Sequence, residues 1–142
     1  MKKMTREQCL AFLTAKTRTG KLATVRPDGR PHVAPIWFDV DGEQLVFTTW
    51  HATAKAANLR HNPWVSLCVD DEAPPFAFVK VDGTADLIDN LEQLRHWATR
   101  IAGRYMGAAL ADTYGNRNAV PGELLVRVTI RSITGQDDVA GW

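Results

Sequence analysis

The sequence predicts a mainly β domain, a small barrel with helices packed on its outside. Three observations carry this. Short segments of alternating polarity recur between tight-turn signals, the mark of strands joined by hairpins. Helical spacing is confined to a few stretches, and only one of these is long. The order of elements (helix, three strands, short helix, two strands, helices, strand) leaves few long crossovers and argues against a doubly wound sheet. At 142 residues, 45% of them hydrophobic, the chain reads as one domain over 1–142, large enough to bury a proper core.

Thr5 opens a first helix with a capping-box pattern, Gln8 standing three residues on, and Leu10, Ala11 and Leu13 carry its apolar stripe to about Ala15. Lys21–Arg26 alternates as a strand. Pro27-Asp28-Gly29-Arg30 is a turn, because Pro presets φ and Gly accepts a positive one. His32–Val40 is expected as a second strand, Asp41-Gly42 as a tight turn and Gln44–Thr49 as a third strand. The period then changes. Thr53 is placed to cap a helix through Arg60, which Asn62-Pro63 stops. Trp64–Asp70 is a fourth strand and Asp71–Pro75 a loop. Phe76–Ile88 is a long fifth strand, in which Gly83 predicts a bulge or the close approach of another backbone. Asp89 or Asn90 caps the long helix, whose Leu91, Leu94, Ala98, Ile101, Ala102 and Tyr105 share one face up to Met106-Gly107. A weaker helix over Ala108–Tyr114, a polar loop over Gly115–Gly122 and a strand over Leu124–Ile130 complete the chain.

Composition removes several functions. Seventeen Lys and Arg against sixteen Asp and Glu give a net charge of +1, so bulk charge offers nothing to a nucleic acid. No apolar run approaches the roughly 18 residues a membrane span needs, and the basic start Met1–Glu7 has no apolar stretch behind it, so a cytoplasmic protein is expected. Cys9 and Cys68 form no framework, and Cys68, set among Val65, Leu67 and Val69, reads as core filling. His32, His51, His61 and His96 lack ligand spacing, so no metal is expected. The G-x-S-x-G, G-x-G-x-x-G and P-loop motifs are absent.

The stretch Val46–Lys55 holds the chemistry. Thr48 and Thr49 close a strand, Thr53 caps the next helix, and Lys55 sits in that helix's first turn. Free N–H groups and the positive dipole end make a helix N-terminus an anion seat. A lysine there opposes the dipole unless an anion neutralises both. Two readings fit: an anion site, or an ordinary surface helix. The five tryptophans are expected in the core or at an interface, one of them free to flank a planar ligand beside the anion site.

Three runs together resemble the pyridoxamine 5'-phosphate oxidase-like superfamily: Gly20–Val25, Asp28–Phe38 and Thr53–Pro63. Within it they are most similar to the actinobacterial and archaeal branch of oxidoreductases that use the deazaflavin coenzyme F420. Val81–Ala85 and the stretch from Tyr105 through Asn118–Gly122 to Val128 continue the likeness over nearly the whole chain. The resemblance implies a split β-barrel forming a homodimer, with a cofactor at each end of the interface. The cofactor phosphate would sit at Thr48, Thr49, Thr53, Ala54 and Lys55, and the tricyclic ring along Pro35, Ile36 and Trp37. Asn58 and Arg60 would support the pocket. The partner copy would reach in from the region of Phe76, Phe78 and Lys80, burying roughly 2,000 Å² in total.

FMN-using relatives carry basic phosphate contacts near the first cofactor strand. His32–Trp37 carries no Lys or Arg, which favours F420 and leaves FMN as the alternative. The glutamate tail of F420 would find cations on the long helix, at Arg95, His96, Arg100 and Arg104, or at Arg26 and Arg30. The function implied is a reductase passing hydride to a planar, conjugated organic substrate. An FMN-dependent oxidase or reductase, and a non-catalytic F420 carrier, are the other readings. No catalytic side chain is assigned. Proton supply falls to solvent or to a group such as His32 or His51, and the loops Asp71–Pro75 and Gly115–Pro121 would shape the substrate pocket.

Overall fold

The computed structural model describes residues 1–141; Trp142, counted among the five tryptophans above, lies outside the described residues. A two-residue strand, β1 (Lys2–Lys3), precedes helix α1 (Arg6–Ala15). The capping box at Thr5 and Gln8 is formed in full. Then follow β2 (Gly20–Val25), β3 (Pro31–Ile36), β4 (Asp39–Asp41), β5 (Gln44–Trp50), α2 (Ala54–His61), β6 (Trp64–Asp70) and β7 (Phe78–Ile88). Helix α3 (Leu91–Met106), capped by the Asn90 side chain, leads through a 3₁₀ turn into α4 (Ala111–Asn118) and the final strand β8 (Glu123–Asp137).

The strands form one antiparallel sheet in the order β3-β2-β6-β7-β8-β5-β4, with β1 paired to the far end of β8. One core receives Ile36 from one edge of this order, Val40 from the other, and Leu67, Val81 and Val128 from the middle. A sheet whose two edges bury side chains in the same core must curl round it, which gives the split barrel. Cys9 and Leu13 of α1 plug it, and Leu59 of α2 packs on it. A second, smaller core lies on the outside, where Leu94 and Trp97 of α3 cover Val46 and Leu125.

Several boundaries differ from the sequence expectation, each for a local reason. The expected strand His32–Val40 is broken into β3 and β4 at Trp37-Phe38. There the Phe38 N–H donates to the Tyr105 hydroxyl and the Phe38 carbonyl accepts from the Arg104 guanidinium, so both groups leave the ladder. The long fifth strand begins at Phe78, not Phe76, whose φ of 58° is left-handed. The loop expected at Gly115–Gly122 is helical as far as Asn118. Strand β8 runs past Ile130 to Asp137 because Ile133 and Gly135 continue the pairing with β7, while Ser132 and Thr134 face outward. Gly83 does mark a bulge: the register shifts between Asp82 and Gly83, and a Cβ there would collide with the Thr129 carbonyl. Cys68 is corrected from core filling to the outer face, in one row with Lys21, Lys80 and Thr134.

Candidate functional site

Strand β5 sends alternate residues to its two sides. Leu45 and Phe47 enter the barrel core with Thr49, whereas Val46 and Thr48 face α3. The two hydroxyls expected to act together therefore point apart. Thr48 lines a cavity of about 270 Å³ with Lys55 of α2, Pro35, Ile36 and Trp37 at the end of β3, Ala98, Ile101 and Ala102 of α3, and Asn118 of α4. Thr49 is buried on the opposite side, its hydroxyl 2.8 Å from that of Thr53.

The Thr53 hydroxyl donates to the Trp50 carbonyl at 2.9 Å and accepts from the Ala56 N–H at 3.2 Å, so it acts as the cap the sequence predicts. With its one proton spent on Trp50, Thr53 accepts from Thr49. The backbone ladder of α2 begins with the Ala57 N–H on the Thr53 carbonyl. The earlier amides of Ala54 and Lys55 are thereby left as the open donors of the helix end. Lys55 is half-buried, and among the described residues no carboxylate lies within 4.0 Å of its ammonium.

A carboxylate stands farther off. Glu123 begins β8 beside Trp50 of β5, two residues before Leu125, which pairs with Thr48; its side chain is on the Thr48 side of the sheet. Burial pushes the Glu123 carboxyl up from its ordinary value, while the Thr48 hydroxyl and the Lys55 ammonium pull the other way. The turn before β8 is fixed by Gly122, which has φ of 96°, accepts from the His51 N–H at 2.9 Å and lies against the Trp50 ring, where a Cβ would clash.

The other expected site residues fall elsewhere. Asn58 is buried, 4% exposed, and its amide donates to the Thr24 hydroxyl at 3.0 Å, tying α2 to β2 rather than lining the cavity. Arg60 donates to the His51 carbonyl at 3.0 Å and so braces the turn that precedes α2. His32 pairs across the strands with Thr24, and neither it nor His51 lines the cavity. Phe76, Phe78 and Lys80 lie apart from the cavity within one chain. Lys80 borders a trough of about 500 Å³ on the outer sheet face, with Val33, Ser66 and Asp82 among its walls.

Three of the six cations offered for an anionic tail are engaged. Arg104 donates to the carbonyls of Phe38, Leu13 and Lys16, with its guanidinium over the Phe38 and Tyr105 rings. Arg100 lies 3.7 Å from Asp39, and Arg30 is paired with Asp28 at 2.8 Å. Beside them, Trp37 stacks on Tyr105, ring centroids 5.1 Å apart and planes within 3°. The Tyr105 hydroxyl is anchored on the Arg18 carbonyl at 2.6 Å. Sequence reasoning missed Asn118, Glu123 and the α3 residues of the cavity. Ala98, Ile101 and Ala102 carried a periodic signal, but it reads equally as core.

A profile of the family described as pyridoxamine 5'-phosphate oxidase matches residues 5–137. The chain belongs to this family. Among solved structures, a conserved hypothetical protein of Mycobacterium tuberculosis is 26% identical, with TM-score 0.82 over 95% of this chain and 86% of that one. A protein described as an F420 reductase is 28% identical, with TM-score 0.68 over 87% of this chain and 94% of its own. A FAD-binding protein of Mesorhizobium loti, 24% identical, shares the fold with TM-score 0.71, covering 94% and 93% of the two chains. Among the described residues no helix is long and apolar enough to cross a membrane.

Proposed function

We propose that the chain is an F420-dependent oxidoreductase that reduces a planar, conjugated organic substrate. One observation carries the reading. A half-buried lysine without an ion-pair partner among the described residues, standing in the first turn of α2 beside that helix's open amides, shares a single cavity with a strand hydroxyl, and the remaining walls are largely apolar. That donor set suits an anion, and the apolar walls suit a flat ring, so the residues present fit a phosphate-bearing tricyclic cofactor. The F420 reductase at 28% identity supports the same choice.

In this reading Lys55 and the N–H groups of Ala54 and Lys55 hold the phosphate, with the Thr48 hydroxyl as a further donor. Thr53 and Thr49 set the helix end in place, Arg60 braces the turn before it, and Asn58 fixes α2 against the barrel. Pro35, Ile36 and Trp37 orient the ring. Bound F420 supplies the hydride. The protein's part is to hold ring and acceptor in line and to keep water from between them. His32 and His51 do not line the cavity, which supports solvent as the source of the accompanying proton. A second copy of the chain, bringing Phe76, Phe78 and Lys80, completes a homodimeric site.

Fluorescence titration of the purified protein with F420 and with FMN tests the reading. Micromolar or tighter F420 binding, followed by turnover with a conjugated acceptor, is expected. FMN binding with no F420 binding overturns the cofactor choice, and F420 binding without turnover of any acceptor leaves a carrier. Light scattering that finds a cofactor-binding monomer removes the shared site.

A further inference from the structure

A counter-charge stands beside the anion seat, on the Thr48 side of the sheet and outside the residues that line the cavity. Lys55 contributes one positive charge and the α2 terminus about half of one, and Glu123 stands on the same side of β5 and β8 as Thr48. A terminal phosphate monoester has a second pKa near 6 and carries close to two negative charges at neutral pH. A phosphodiester has no second proton to lose and carries one. We propose that Glu123 is a specificity-determining residue that makes this seat select a singly charged phosphodiester and disfavour a terminal phosphate monoester. The inference rests on the cofactor reading above and adds the charge class of the group bound.

The physical argument is one of balance. Against a dianion, the seat offers one lysine and a helix end. The second negative charge then adds to that of the nearby Glu123 carboxylate, which is partly desolvated, and like charges there repel more strongly than in water. A diester leaves that carboxylate tolerable. The same surroundings explain why burial raises the Glu123 carboxyl while Lys55 and Thr48 favour its charged form. F420 joins its ring system to its tail through a phosphodiester, whereas FMN ends in a monoester, so Glu123 would discriminate between the two cofactors of the family at the phosphate. No base or ring contact is needed.

The test isolates charge from shape. FMN and its phosphate methyl ester share one ring system and differ at the phosphate by about one charge. With wild-type protein at pH 8 and low salt, the methyl ester is expected to bind about tenfold more tightly than FMN. Glu123→Gln, nearly isosteric, is expected to tighten FMN to within about threefold of the ester, with F420 affinity changed by less than about threefold. Glu123→Ala repeats the comparison should the amide disturb the turn, and melting curves show that each variant is folded. Wild-type protein that binds FMN as tightly as the ester overturns the inference, as does an FMN-to-ester ratio unchanged in Glu123→Gln; either leaves the cofactor site standing. Wild-type protein that binds neither F420, FMN nor the ester overturns the cofactor reading, and this inference with it.

Discussion

Lys55 and Arg104 are both basic and both half-buried, yet their surroundings are opposite. Arg104 spends its donors on three carbonyls from α1, its following loop and the β3–β4 junction, and covers two aromatic rings. Lys55 has no carboxylate within 4.0 Å among the described residues and stands beside amides that the helix cannot use. A cation whose donors are spent internally holds the fold together; one left with free donors in a cavity is available to a ligand. Charge counted along the sequence does not separate the two cases.

Four measurements would break or sharpen this contrast. The largest effect is expected at the staple: Arg104→Ala should cost about 2–4 kcal/mol of stability, because it strips buried carbonyls of a charged donor. Arg104→Lys should recover little, since an ammonium cannot reproduce the planar fork. Denaturant melts check both, and a loss under 1 kcal/mol would put Arg104 in the same class as Lys55. Next, Lys55→Ala should weaken cofactor binding by about 10- to 150-fold, equivalent to roughly 1.5–3 kcal/mol, with stability moved by no more than about 0.5 kcal/mol. Calorimetric titration beside a melt decides it, and wild-type affinity would sink the phosphate assignment. Thr53→Ala should cost about 1 kcal/mol through the lost cap and weaken binding modestly, in the same pair of assays.

The smallest effect concerns Glu123. Burial raises its carboxyl in the folded protein, so the fold holds that proton more tightly than the unfolded chain does. Its contribution is therefore fully present below the ordinary glutamate range and declines as pH rises through the raised value. Replacing it with Gln should leave stability unchanged near pH 4 and raise it slightly at pH 7. Melts across that window read the difference, and a variant less stable at pH 7 would mean that Glu123 is a net stabilising partner of Lys55.

Most of the fold was legible because it rests on local chemistry. Thr5 with Gln8, Thr53 and Asn62-Pro63 each act through their nearest neighbours, and each does in the structure what its residue type dictates. The failures share a different cause. The break at Trp37-Phe38 depends on Tyr105 and Arg104, more than sixty residues away. The last strand reads as too polar beyond Ile130 because its Ser and Thr face an outer trough. At the site, the cap, the lysine and the run Pro35–Trp37 were visible. The opposed directions of Thr48 and Thr49 follow from strand alternation, but adjacency in sequence suggested cooperation. Asn58, expected to support the pocket, holds α2 against β2 through Thr24. Glu123 gave no signal, since only the β5–β8 register brings it to Thr48.

The Arg104 staple also bears on the order in which the chain assembles. Its acceptors lie 66, 91 and 88 residues away along the chain, so the three bonds can form only after loops of that length have closed. Contacts of this separation between a late helix and an early one are expected to be absent from the rate-limiting barrier, which the β6–β7 hairpin and the antiparallel β7–β8 pairing can approach with shorter closures. Arg104→Ala should then leave the refolding rate nearly unchanged and place its whole cost on faster unfolding. In stopped-flow chevrons the unfolding arm alone would move, which makes Arg104 a residue that governs how long the native state lasts rather than how quickly it is reached.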